Sequence, residues 1–285
     1  MKNNILKYSK VLGIFSVALI TISSLTGCND SSDSKSESIK PEPTNTSKGK
    51  FIPIYEPATN AENRVEENLW RSRKLLEGYT EEMNDFVNIP NDIKVVAKEC
   101  KEANAFYDSD KNTIELCYEL GVEERKMFTE EGDSGVNLEN ELYQSAVGTL
   151  FHEAGHALIA ELDLKITGRE EDVADQLAAY ILTYNDEDKD YLITVADTYG
   201  LAAQRATSLD DLPFYDSHSL DAQRATNFLC YVYGSDMKGF QNLIDDGVLN
   251  KERAVDCEHE YQQIVDAWDF LLGPYFKNQS KNNIS

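Results

Sequence analysis

The chain has 285 residues, of which 27 are basic, 51 acidic and four histidine, for a formal net charge of −24 at pH 7. Nucleic acid and anionic lipid surfaces would repel such a chain, so binding either through its own charge is excluded as a function class. With 41% hydrophobic residues there is enough apolar material for one domain of ample core size, and no internal repeat is visible.

In chain order, Lys2, Lys7 and Lys10 come first and precede the apolar stretch 11-VLGIFSVALITISSL-25, which is too short and serine-rich for a comfortable membrane span. It ends in 25-LTGC-28, which resembles the lipobox of bacterial lipoproteins. That resemblance implies cleavage before Cys28, acylation of its thiol, and an extracytoplasmic protein held on a bacterial membrane by lipid alone. Residues 29–50 are rich in serine, charge and proline and cannot bury enough surface to offset their ordering entropy. The expected divisions are a signal peptide over 1–27, the lipidated cysteine and a flexible linker over 28–50, a folded domain over 51–276 and a polar tail over 277–285. Loss of the three signal lysines takes the net charge from −24 to −27.

Within the domain, 51–55 reads as a short edge strand because of Pro53. Apolar positions at Val65, Leu69, Leu75, Leu76, Met83 and Phe86 predict one long amphipathic helix over 59–87. Strands follow at 93–100, 104–108 and 112–120, with turn chemistry in 108-DSDKN-112. Helices are expected over 118–129, 138–162, 169–185, 190–205, 218–233, 236–246 and 251–272. A small N-terminal β-sheet followed by a mainly helical part is an α+β arrangement. Cys100, Cys117, Cys230 and Cys257 are an even set in an exported chain with no CxxC spacing, so they are expected in disulfides rather than at zinc. Of three pairings, Cys100–Cys117 and Cys230–Cys257 each close one local unit.

The chemistry concentrates in 138-LENELYQSAVGTLFHEAGHALIAEL-162. His152 and His156 at i, i+4 project from one helix face and can reach one tetrahedral zinc ion. Glu153 stands beside them, where it can hold an attacking water and take its proton. On these residues alone, a core helix with two satisfied histidines is equally good. The second segment, 167-TGREEDVADQLAAYIL-182, shifts the balance. Thr167 and Glu170 form a capping-box pattern that starts a helix, with Glu171 and Asp175 on one face. Glu171 follows His156 by fifteen positions, long enough for the chain to reverse and deliver a third ligand. Asp175 is then placed to accept a hydrogen bond from the far nitrogen of a zinc histidine.

HExxH followed by ExxxD resembles the gluzincins, the thermolysin-like zinc peptidases. The resemblance implies a zincin-like fold, Zn2+ bound by His152, His156 and Glu171, Glu153 as general base and Asp175 behind a ligand. The stretch 104-NAFY-107 is similar to the edge strand that pairs with substrate backbone in that group, which implies substrate binding by Asn104 and Ala105. More closely, residues from Phe51 to about Phe276 resemble the bacterial putative-metallopeptidase family named domain of unknown function 4344, through NAFYD, LCYEL, HExGHALI, TGREEDxADQ, HSLDxQR and CxxYGSD. Thermolysin-like enzymes also use a downstream histidine or tyrosine at the oxyanion, and here 216-DSHSLDAQR-224 offers His218, with Tyr215 behind it. His218 equally suits a helix start, and His259 among acids reads as inert. The expectation is a lipid-anchored zinc peptidase acting on peptides or proteins. The rivals are a non-catalytic binding lipoprotein with structural zinc and an amidase for a cell-wall amide.

Overall fold

The computed structural model describes residues 48–186 and 188–277. The signal segment, Cys28, most of the linker and the tail from 278 lie outside the described residues, and so do the expectations placed on them. Among the described residues no helix is long and apolar enough to cross a membrane.

Four strands form one sheet: β1 (Phe51–Tyr55), β2 (Ile93–Lys98), β3 (Ala105–Asp108) and β4 (Thr113–Cys117), in the order β1-β2-β4-β3. β1 and β4 both run parallel to β2, while β3 pairs antiparallel with β4. Parallel neighbours need a crossover, and two helices between β1 and β2 provide it, α1 (Ala61–Ser72) and α2 (Leu75–Phe86). The single helix expected over 59–87 is therefore two. The chain breaks at Lys74, whose φ is 53°. The hydroxyl of Tyr55 on β1 fills the break, accepting from the Leu76 N–H at 3.0 Å and lying 3.2 Å from the Trp70 carbonyl. It thus satisfies backbone groups that a continuous helix would have paired internally.

β2 and β4 are buried along most of their length, and β3 forms the opposite edge from β1. The Cys117 N–H donates to the Asn104 carbonyl, so by alternation Ala105 and Tyr107 turn their N–H and C=O outward. The Cys100–Cys117 disulfide ties the segment after β2 to the end of β4 and so holds this hairpin.

The helical part comprises α3 (Tyr118–Glu131), α4 (Gly135–Glu161), α5 (Glu170–Leu182), α6 (Lys189–Ala203), α7 (Asp221–Ser235), the single turn α8 (Asn242–Asp245) and α9 (Cys257–Leu272). α4 is buried on nearly every face from Ser145 to Ile159, as its apolar sequence requires of a central helix. The helix expected over 236–246 shrinks to α8, because Asp236 leaves helical geometry and its carboxylate accepts from the Gly239 N–H at 2.8 Å. α7 starts three residues later than expected, after a turn in which the Asp216 carboxylate takes the His218 N–H. The first turn expected from 251 tightens to a 3₁₀ turn over Arg253–Asp256 before α9. A second disulfide, Cys230–Cys257, joins α7 to α9.

Candidate metal centre

α4 ends where Asp163 adopts φ 48°, and the chain turns back so that α5 runs against it. Gly155, between the two histidines, sets how close the helices come. A Cβ there would lie 2.6 Å from Ala174 Cα. Only glycine allows this approach, and one turn before Ala174 it carries Glu171 onto the histidines.

Three acceptor atoms meet at that point. His152 Nε2 and His156 Nε2 are 3.2 Å apart, and Glu171 Oε2 lies 3.3 and 3.2 Å from them. Each ring's Nδ1 faces a carboxylate, His152 to Asp175 at 2.7 Å and His156 to Glu170 at 2.9 Å. With the Nδ1 protons donated there, both Nε2 atoms carry bare lone pairs aimed at each other and at a carboxylate oxygen, which a cation would satisfy together. Zinc bonds of about 2.0–2.1 Å in tetrahedral array place ligands roughly 3.3 Å apart, so this donor set fits zinc in both chemistry and spacing.

The electrostatics also ask for positive charge. Without metal the rings of His152, His156 and His218 take up protons, and in that form they donate to Glu171 and hold its carboxyl far below the usual carboxylate range. Burial alone would depress His152, but Asp175 and Glu171 outweigh it and push the ring up to about 9. Burial alone would raise Asp175, yet the Arg224 charge and the bonds from His152 and Arg224 hold it at about 2. Arg224 on α7 donates to both Asp175 oxygens, at 2.8 and 2.7 Å, and both residues are buried. Glu153 is buried beside His152, and that burial raises its pKa against the pull of the two histidines.

His218 also reaches the centre. Its Nε2 is 2.9 Å from Glu171 Oε2 and its Nδ1 is 2.9 Å from Asp216. By proximity alone, His152, Glu171 and His218 form a candidate ligand group. In the trio with His156 all members sit on two packed helices with both rings braced, whereas His218 is half-exposed on a loop. That loop is pinned by α5 on either side of Glu171. Arg169 donates to the Asp216 and His218 carbonyls, and Ser219 donates to Asp172. Tyr215 is 93% exposed and turned to solvent, and His259 is exposed as well.

The expected capping box is corrected. Arg169, not Thr167, is the residue before α5 and makes no side-chain cap bond. The Glu170 carboxylate is drawn to His156 instead, and three acids in the first turn complement the helix dipole. Sequence reasoning missed Glu170, Arg169, Asp216 and Arg224 as site residues. The stretch 216-DSHSLDAQR-224 held the only trace of the last two, and nothing local in it shows that Arg224 faces Asp175 forty-nine residues earlier.

The centre opens into a cavity of about 680 Å³ that runs between β3 and α4. Asn104 and Ala105 line it, as do Glu153, His156 and His218. The Asn104 carbonyl is spent on β4, so its side chain and the outward backbone of Ala105 face the cleft. Residues 55–272 match the model of the family DUF4344, described as "Putative metallopeptidase". No curated protein and no solved structure matches the chain.

Proposed function

The chain belongs to DUF4344, the "Putative metallopeptidase" family, and from that premise we propose that it is a zinc-dependent peptidase of zincin-like fold, anchored to a bacterial membrane through a lipidated Cys28. The observation that carries the reading is a buried Glu153 beside three converging acceptors, at the mouth of a cleft walled by an open strand edge. His152, His156 and Glu171 would hold the zinc. When bound, zinc supplies Lewis acidity, which polarises a carbonyl and makes water acidic near neutral pH.

The chain's own residues do the rest. Ala105 and its neighbours on β3 pair with an extended peptide backbone and align it along the cleft. Glu153 takes a proton from the attacking water and returns it to the leaving amine, and its raised pKa suits a group that must do both. His218, oriented by Asp216, donates to the oxyanion that develops on the attacked carbonyl. Asp175, clamped by Arg224, keeps the His152 ring turned so that Nε2 faces the centre.

One observation favours a second reading. His218 Nε2 at 2.9 Å from Glu171 is near enough to complete a closed four-ligand zinc site of purely structural use. Glu153 separates the two, since a structural site needs no base. Glu153→Gln keeps shape and metal but cannot accept a proton. The variant should hold about one zinc per chain, as the unaltered chain does, and lose cleavage of a peptide library altogether. Undiminished cleavage by the variant removes the mechanism, and an unaltered chain that binds zinc and cleaves nothing favours the structural reading.

A further inference from the structure

Beyond the centre, the cleft continues toward the N-terminus of α4. Thr149 and Ser145 line it one and two turns before His152 and Glu153, about 10 Å along the axis in the case of Ser145. The pocket there is lined by Leu120 and Met127 from α3 and Val195 from α6, by the Arg205–Glu123 ion pair, and by Glu124 of α3. Glu124 is only 5% exposed. Ser145 Oγ donates to its Oε1 at 2.8 Å, and Thr198 in turn donates to Ser145. Among the described residues no side chain or backbone group donates to Oε2.

The neighbouring cations are all engaged elsewhere. Arg125, next on the helix, points away and holds Glu66 through two nitrogens. Arg205 pairs with Glu123, and Arg224 pairs with Asp175. A buried carboxyl without a cation is costly, and glutamine would serve the Ser145 bond equally well, so the acid needs a reason outside the fold. Apolar lining residues beside a buried acid suit a side chain with an apolar stem and a cationic tip.

Resting on the peptidase reading above, we propose that this pocket takes a lysine or arginine side chain of the substrate, that Glu124 is its counter-ion, and that cleavage falls beside a basic residue. An extended basic side chain on a residue flanking the scissile bond must then reach from the centre toward Ser145 and Glu124, about two turns of α4 away. The free carboxyl bears the mark of a missing partner, since burial pushes it up to about 8 against the Ser145 bond, with Glu66 and Glu123 adding to the rise. The net charge of −24 favours the approach of basic peptides to the chain as a whole.

The test is calorimetric titration of the full zinc-loaded chain carrying Glu153→Gln, so that peptides bind uncut. Three peptides of equal length differ at one position, bearing lysine, glutamine or the uncharged norleucine. Lysine should bind at least about tenfold tighter than the others, a gap in the range of a hydrogen-bonded charge pair. Adding Glu124→Gln should bring lysine down to the norleucine level and leave norleucine within about twofold, because glutamine keeps the Ser145 bond and the packing. No lysine preference, an equal preference for glutamine, or a preference that survives Glu124→Gln overturns the assignment. Hydrolysis of the same peptides by the unaltered chain reports on the peptidase reading separately. Preference without hydrolysis refutes the peptidase and keeps the pocket, and hydrolysis without preference refutes the pocket alone.

Discussion

His218 stands 2.9 Å from Glu171 with its other nitrogen on Asp216, and a ring so placed can either ligate or donate to substrate. The two roles differ in when the bond matters. A ligand is needed in every state, whereas an oxyanion donor acts mainly in the transition state, so its loss falls on kcat. The half-exposed loop position favours the second role. His218→Ala should cut kcat by about 10²–10³, the usual cost of one such donor, while zinc affinity and melting temperature stay near those of the unaltered chain. A loss of nearly all bound zinc would make His218 a ligand instead. The convergence of His152, His156 and Glu171 was legible in the sequence because HExxH and ExxxD each span one helix turn and need only two helices to meet. The partners on the outer nitrogens were less so. In the run Glu170, Glu171 and Asp172, spacing alone cannot say that the first carboxylate turns to His156 while the third holds Ser219. Arg224 reads as an ordinary helix-surface cation until α7 is packed against α5, and its guanidinium stacks on Tyr199 at 3.9 Å besides clamping Asp175.

At the scale of elements, the geometry of the centre depends on how closely α4 and α5 approach. Gly155→Ala should improve the intrinsic helix propensity of α4 by about 1 kcal/mol. Its Cβ would however meet Ala174 Cα at 2.6 Å and Cβ at 2.9 Å, contacts with a helix backbone that has no free end to yield. Overpacking of this kind costs about 1–3 kcal/mol, and any outward shift of α5 carries Glu171 and Asp175 with it. Competition with a chelator should show zinc affinity reduced by about tenfold or more, the scale at which disturbed ligand support is felt. A variant with unchanged affinity and a higher melting temperature would show that this spacing does not set the centre. The sequence marked most helices within a few residues, since their apolar periods are strong and α4 has no proline over its 27 residues. It failed where a single side chain, remote in one case and local in the other, overrode a helical pattern. The α1–α2 break is held by Tyr55 from a strand, and the 236–246 helix is dissolved by one aspartate side chain whose turn competes with helix. The β1–β2–β4 parallel core was unreadable as such, because buried strands such as 93-IKVVAK-98 carry no sign of which neighbour they pair with or in which sense.

The molecule as a whole holds 51 acids against 27 basic residues, and several of the acids are folded into places that disfavour their charge. Burial pushes Glu124 up to about 8 and Asp197 to about 7, the latter aided by Asp133. Glu82 and Glu141 rise to about 7 through burial and nearby acids, but both are partly in contact with water and count for less. Between about pH 4.5 and 8 the folded chain therefore holds protons that the unfolded chain has released, so stability falls as pH rises through that window. Without metal, His152 acts in the same sense. Its folded pKa of about 9 gives stability that is complete below the ordinary histidine value and lost as pH rises through 9. The groups with depressed values, among them Glu171 and, at about 2, Glu99 and Asp175, act oppositely, but only where the pH falls below about 4. The chelator-treated chain should thus melt higher at pH 6 than at pH 8.5, by roughly 5–10 °C if the buried acids together contribute a few kcal/mol. Salt at pH 8.5 should recover only a part of the difference, because screening weakens repulsion among surface acids and leaves the burial penalty in place. Glu124→Gln with Asp197→Asn should flatten the profile, chiefly by raising the melting temperature at pH 8.5. If the double variant keeps the full slope, the slope belongs to the histidine cluster and to surface repulsion, and the buried acids are not held protonated in the folded chain.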